Sequence, residues 1–402
     1  MKTKSMNKKM VASLFALLAS SISMAQVDVE SNNLFTRAKT MIDSKSVVHG
    51  VDTNYVKTPH QPWQISVKSR VAQTDLQMHS VIDGASVFNG EFLDPQVKGY
   101  GDLSIAPRFM TKISTSVGVK VGYKGLSASY SFPVAGDKGK NLSLKSVSNW
   151  YSVNLRWHSF KTDNPETRFT GDFVVREDPS TEDWKGPVSL DMKDHTKLDD
   201  PIKIQTLMFD AFYIFNKKKF SYAAAYNQKT YQVRSAGSLI AGIMCYYADF
   251  KYNTDRSADF IVAMGGIGRL RQYQGNVGVG YSYNFVPFKG FLINGTFMPT
   301  ISVLNRTKVN HYTSNALAVD QAHVNDPEGT DYADEYKIES AGSHSDNNRL
   351  ALNFNARLSF TYSWDRYFIN AHGQFNNFNY KHDSMHGHLN DWYINASVGV
   401  RL

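Results

Sequence analysis

Trp392-Tyr393-Ile394-Asn395-Ala396-Ser397-Val398-Gly399-Val400-Arg401-Leu402 (WYINASVGVRL) closes the sequence. Trp392, Ile394, Ala396, Val398, Val400 and Leu402 alternate with Tyr393, Asn395, Ser397, Gly399 and Arg401. Successive side chains of a strand point to opposite faces, so this stretch is apolar on one side and mostly polar on the other. Chain ends are commonly frayed and polar. An ordered amphipathic strand at one end, with an export signal at the other, predicts the closing strand of an outer-membrane β-barrel.

The same period recurs upstream. Leu350, Leu352, Phe354, Ala356, Leu358, Phe360, Tyr362 and Trp364 alternate with Ala351, Asn353, Asn355, Arg357, Ser359, Thr361 and Ser363. Val117, Val119, Val121 and Tyr123 alternate with Gly118, Lys120 and Gly122, and Val277 to Phe285 behaves likewise. Membrane barrels carry this dyad pattern over about 10 residues per strand, apolar toward lipid and polar toward the lumen. Trp63, Tyr100, Trp157, Trp364, Tyr367 and Trp392 sit near strand ends, where interfacial girdles belong. A soluble β-sandwich also alternates, but its strands are usually shorter. The polar faces here are also small and uncharged more often than a solvated face would be.

Fourteen candidate strands start near residues 62, 100, 113, 125, 147, 167, 202, 219, 238, 275, 290, 349, 366 and 390. Short periplasmic turns and long outer loops are obeyed from Gly237 onward. In the first half the parity slips: Lys124–Gly125 reads as an outer turn and 178–201 as an inner loop. Demoting one candidate in each half gives twelve. The fold class expected is therefore all-β: a transmembrane antiparallel β-barrel of about 12 strands, with 14 as the alternative.

Residues 1–25 read as an export signal. Lys2, Lys4, Lys8 and Lys9 precede the apolar core VASLFALLA, and Ser23-Met24-Ala25 sets cleavage between Ala25 and Gln26. Residues 26–60 form a periplasmic N-terminal segment whose stretch 34–42 has helical spacing. The barrel occupies 61–402. Removing the four signal lysines from the formal charge of +8 leaves +4, too little to argue nucleic-acid binding. The lone Cys245 excludes an intrachain disulfide and reads as a buried, inert thiol.

Val51-Asp52-Thr53-Asn54-Tyr55-Val56 with Pro59, Pro62 and Trp63, the run Tyr123-Lys124-Gly125-Leu126-Ser127, and Gln228 through Ser238 form a recognisable set. Together they resemble a family of exported Bacteroidetes proteins known only as a domain of unknown function. The resemblance implies an outer-membrane barrel of a gut- or mouth-type anaerobe. It implies no activity and carries no functional residue.

Nucleotide and hydrolase signatures are absent, and no cofactor is expected. The segment KHDSMHGHLND gathers His382, His386 and His388 with Asp383 and Asp391, a candidate metal site or an ordinary loop tip. His158, Asp210 and His372 on polar faces are the candidates for an alternative reading as a lipid or peptide hydrolase. A more distributed signal is charge. Lys68, Arg70, Arg108, Lys120, Arg156, Arg176, Arg357 and Arg401 fall on inward faces, against only Asp102, Asp172 and Asp210. Buried like charges repel unless paired or hydrated. Either the lumen is wet and biased toward anions, or an acidic segment folds in as a plug, or pairs form locally and the acidic loops are simply solvated; residues 26–60 are a further candidate plug. The primary expectation is a monomeric barrel with a structural or small-solute passage role. A third reading is surface binding through the long loop 305–348. The partners expected are outer-membrane lipid and lipopolysaccharide, with the barrel-assembly machinery engaging the C-terminal strand.

Overall fold

The computed structural model describes residues 50–402 apart from 84–97, 137–138, 163, 178–187, 253–259, 261–263, 265, 316–336, 348–349 and 383–384. The export signal, its cleavage site and the 34–42 helix lie outside the described residues.

A short strand β1 (Val56–Lys57) precedes the barrel. Then come β2 (Trp63–Asp83), β3 (Lys98–Met110), β4 (Ser114–Tyr123), β5 (Leu126–Ala135), β6 (Lys140–Val147), β7 (Tyr151–Lys161), β8 (Glu166–Glu177), β9 (Val188–Lys197) and β10 (Lys203–Ile214). A helical turn α1 (Tyr222–Tyr226) and β11 (Tyr231–Gln232) follow. The chain ends with β12 (Ala236–Lys251), β13 (Ile267–Phe285), β14 (Phe291–Ser314), β15 (Ile338–Asn347), β16 (Leu352–Trp364), β17 (Tyr367–His382) and β18 (Met385–Arg401).

Twelve of these close an antiparallel barrel in the order β2-β4-β5-β6-β7-β10-β12-β13-β14-β16-β17-β18. The quoted terminal strand completes the cylinder, pairing from Met385↔Ser80 to Arg401↔Gln64. Reciprocal backbone bonds between Trp63 and Leu402 (3.0 and 2.9 Å) extend the seam to the last residue. Closure leaves no unpaired edge in lipid, which the hydrocarbon region does not tolerate.

Twelve strands stand as expected, but a different set fills them. β3, β8 and β9 branch from β2 as an outer extension of the same sheet, outside the closed ring of twelve. The lower half of β2 pairs with β4 (Trp63↔Tyr123) and its upper half with β3 (Leu76↔Phe109). Two consecutive strands thus serve as one descending partner, and this caused the parity slip. The turn Lys124–Gly125 is consequently periplasmic, with Lys124 N–H donating to the Pro62 carbonyl (2.9 Å). Both residues have positive φ (43° and 95°), as a tight hairpin turn requires. The candidate near 219 is not a strand but an insert carrying α1. The short strand β6, absent from the sequence-derived starts, restores the count.

The outward face is apolar: Ile65, Val67, Val119, Phe132, Val279 and Val398 are all exposed. Trp63 on Tyr123 (4.6 Å between centroids) and Tyr362, Trp364 and Tyr367 in sequence mark the periplasmic girdle. Cys245 stands exposed on this outer face rather than buried in protein. A barrel inverts the usual rule, so an apolar-seeking thiol points out toward lipid.

Inside, two layers differ. The outer half of the lumen is filled by Leu76, Phe109, Phe250, Leu270, Phe378 and Leu389, all buried, with Tyr246 stacked on Phe378 at 4.6 Å. The periplasmic half is lined by amides, hydroxyls and cations. The segment between β10 and β12 folds up into that half instead of hanging in the periplasm, and every residue of α1 is buried.

Candidate functional site

The insert is held through its backbone. Ser221 caps α1, its Oγ accepting from Ala224 N–H (3.2 Å). Beyond the single turn the carbonyls have no helical partners, and lumen donors take them. Ser359 Oγ (2.7 Å) and Asn370 Nδ2 (3.0 Å) donate to the Ala225 carbonyl. Lys145 Nζ reaches the Tyr226 carbonyl (3.4 Å), Lys120 Nζ the Asn227 carbonyl (3.2 Å) and Arg401 Nε the Gln228 carbonyl (2.9 Å). Tyr226 Oη donates to Asn294 Oδ1 (2.7 Å), and Arg357 Nη1 donates to Tyr222 Oη (2.8 Å). An acidic loop was one candidate plug, and most of the acidic loop residues lie outside the described residues. The observed plug, KKKFSYAAAYNQKTYQVR, is basic and offers carbonyl dipoles in place of carboxylates. Among the described residues the N-terminal segment takes part at the periplasmic end, where β1 pairs with β11 (Val56↔Gln232).

Above the insert lies an ionic layer. Arg156 pairs with Asp391, whose Oδ1 also accepts from Thr74 Oγ1 (3.0 Å). Arg357 pairs with Asp210 (3.2 Å), and Asn154 Nδ2 donates to the same carboxylate (3.0 Å). The Tyr393 ring carries two guanidiniums, with Arg70 at 4.4 Å and Arg156 at 4.7 Å. Buried charges are tolerable in this form because each acid has a cation and further donors.

Beside this layer is a cavity of about 50 Å³. Lys68, Arg70, Lys120, Lys145, Arg156 and His372 line it, with serines and amides, and no carboxylate does. Lys68 Nζ donates to Ser129 Oγ (2.7 Å). Arg70 is only 5% exposed, and its Nε has no partner among the described residues. Lys68, Arg70, Lys120 and Lys145 form no ion pair among the described residues.

The sequence-derived residues thus divide. Lys68, Arg70, Lys120 and Arg156 meet at the cavity, Arg357 sits across the ionic layer and Arg401 beneath the insert. Arg108 does not join them. It lies on the outer sheet, half exposed and paired with Asp75 (2.7 Å), because β3 is not barrel wall. Asp102 is likewise on β3, and the side chains of Arg176 and Asp172 lie outside the described residues. Lys145 was missed because β6 was missed. Its signal, Lys145 alternating with Leu144 beside Leu142, is short but present.

The histidines separate too. His386 and His388 sit on the outward face of β18 above the girdle, His386 against His79 (4.8 Å between rings), and the side chain of His382 lies outside the described residues. Asp391 turns inward to Arg156. No group of three metal-ligating side chains occurs among the described residues. His372 is bracketed by Asn370 Oδ1 (2.7 Å) and Asn395 Nδ2 (3.2 Å), and His158 packs on Phe160 (4.4 Å). Among the described residues neither meets a serine or carboxylate in the manner of a catalytic base. A Ser104–His79 contact of 2.8 Å on the outer sheet has no third orienting group on the His79 Nδ1 side among the described residues.

Residues 50–401 match the family described as Domain of unknown function (DUF4421). The chain belongs to that family. The DUF4421 fold is therefore, in this member, a closed twelve-stranded barrel with a lumenal insert. No curated protein matches the chain. Among solved structures it is similar to the outer membrane protease OmpT from Escherichia coli, at 8% identity and TM-score 0.37, covering 89% of this chain and 100% of that one. It is also similar to the translocator domain of the autotransporter NalP from Neisseria meningitidis, at 8% identity and TM-score 0.30, covering 92% and 98%. The toluene transporter TodX of P. putida aligns at 9% identity and TM-score 0.23, covering 86% and 91%.

Proposed function

We propose that this protein is an outer-membrane barrel that takes small anions into its lumen and is closed at rest by the segment 216–235. The observation that carries this reading is the cavity lined by cations and no carboxylate, set between an apolar outer half and the periplasmic insert. A chamber with uncompensated positive potential concentrates anions and rejects cations. The insert is the movable barrier. Its contacts with the wall are scattered hydrogen bonds to backbone carbonyls and side chains, together with the buried Phe220, Tyr222 and Tyr226 rings, whereas the wall strands are held by continuous ladders. The outward apolar face, the basic start and small-x-small site of residues 1–25, and the closing role of β18 support residence in the outer membrane. They also support insertion through that strand by the barrel-assembly machinery and contact with lipopolysaccharide.

Planar-bilayer recording tests the reading. Wild-type protein, shown folded by heat-modifiable mobility, stays silent or opens rarely. Replacing residues 217–234 by a short Gly-Ser turn gives discrete, anion-preferring steps. A folded replacement variant that is silent, or that prefers cations, contradicts it.

A further inference from the structure

The cavity is not equally walled on all sides. β5 and β6 span 10 and 8 residues, whereas β13 and β14 span 19 and 24. A strand needs about 9–11 residues to cross the hydrocarbon core, so the β5–β6 hairpin ends at the outer membrane surface while the opposite wall rises far beyond it. At that low rim Phe132 and Val134 are strongly exposed (59% and 67%), as residues facing lipid at the boundary are. Above Ala72, β2 exchanges its partner β4 for β3, with Thr111 N–H donating to the Thr74 carbonyl (2.9 Å) at the changeover.

A second, smaller pocket of about 10 Å³ lies at the changeover. Arg70, Asn141 and His158 line it with Ser114, Ser116 and Gly139. Arg70 lines both spaces. Neither side-chain atom of Asn141 has a partner among the described residues, although the residue is buried. Partnerless buried polar atoms are rare and ask for an explanation. Here they sit in a pocket that Arg70 also lines.

We infer that the lumenal cavity is a binding site for a phosphate-class oxyanion, with Arg70 as its directed donor. This deepens the anion reading above and rests on it for the sign of the ligand. Four cations without carboxylates favour a multiply charged ligand over a monovalent one. An Arg guanidinium with a free Nε–H offers the directed donors that phosphate oxygens accept. Lysines supply the remaining charge, and Ser127, Ser143 and Asn395 add neutral partners. A water needs about 10–15 Å³ of such space, so the chamber accepts a few waters or one tetrahedral oxyanion. A free phosphate and a phosphate-bearing lipid headgroup at the rim present the same chemistry.

The test uses full-length folded protein in detergent. Inorganic phosphate is titrated against the thermal midpoint of the folded band, with chloride as the control and direct binding followed by phosphorus NMR. A parallel arm offers vesicles with phosphate-monoester headgroups against vesicles of phosphatidylcholine. Wild type is stabilised by phosphate and not by chloride, because a ligand that binds only the folded state raises its midpoint. Arg70→Met and Lys120→Met each weaken that response by about tenfold or more, read as the phosphate-dependent rise above each variant's own ligand-free midpoint. Arg108→Met on the outer sheet leaves it intact. Response to phosphate alone assigns a free ion. Selective retention of monoester lipid, lost in Arg70→Met, assigns a headgroup. No response in either arm, or a response that survives both lumen substitutions, overturns the site. Phosphate binding by a protein whose insert-replaced form does not conduct would uphold the site and sink the passage reading. Conduction without phosphate binding would do the reverse.

Discussion

The two halves of this lumen solve one problem in opposite ways. Every barrel of this width must fill its interior or flood it. In the outer half Leu76, Phe109, Phe250 and Leu389 interdigitate as in a soluble core. In the periplasmic half Arg156, Asp391, Arg357 and Asp210 neutralise one another, while Lys68, Arg70, Lys120 and Lys145 are left with only carbonyls, hydroxyls or a ring among the described residues. An apolar filling would have been the more stable choice throughout, since buried ionic networks are often neutral or worse against it. The periplasmic half therefore reads as the part retained for a ligand, and the outer half as the part that stabilises the barrel.

Substitutions in the two halves separate stability from anion response. The largest stability loss is expected for Arg357→Met, which strands the fully buried Asp210. About 3–5 kcal/mol is expected, read as denaturant-dependent loss of heat-modifiable mobility. Leu389→Ala in the apolar half opens a cavity for about 2–5 kcal/mol, with its phosphate response unchanged. A Leu389→Ala protein that loses the response would break the division between the halves. Tyr222→Phe removes the acceptor of Arg357 Nη1, costs about 1–3 kcal/mol and raises the frequency of bilayer openings by loosening the insert. Arg108→Ala, at an exposed pair, is expected to change stability by less than about 1 kcal/mol and conductance not at all.

The sequence shows the barrel wherever one face met lipid and the other met polar groups. β16 and β18 read cleanly because Asn353, Asn355, Arg357 and Ser359, or Asn395 and Arg401, line a polar lumen. The reading weakens where the lumen itself is apolar. In β10 the inward residues Ile204, Met208 and Phe212 are as hydrophobic as the outward ones, so the period carries no direction. It fails where pairing is shared, as in β2 with β3 and β4, because alternation reports faces and not partners. The insert was illegible for another reason. Many of its wall contacts run through backbone carbonyls, which every residue has, and the rest through tyrosines and amides with no period, so KKKFSYAAAYNQ announces neither its position nor its partners. The basic lumen was legible as a parity count. The convergence of Lys68, Arg70 and Lys120 with Lys145 required the register.

The central claim is that residues 216–235 occupy the lumen of the folded barrel. The direct measurement is thiol cross-linking of Ala225→Cys with Ser359→Cys in a Cys245→Ser background, since Ser359 Oγ lies 2.7 Å from the Ala225 carbonyl. A short bifunctional reagent should join the pair in the unboiled form. The Ala225→Cys variant without the second thiol should resist a bulky, membrane-impermeant maleimide added from the periplasmic side. No cross-link in the folded form, with free maleimide labelling of the Ala225→Cys variant, would place the insert outside the lumen and contradict the account.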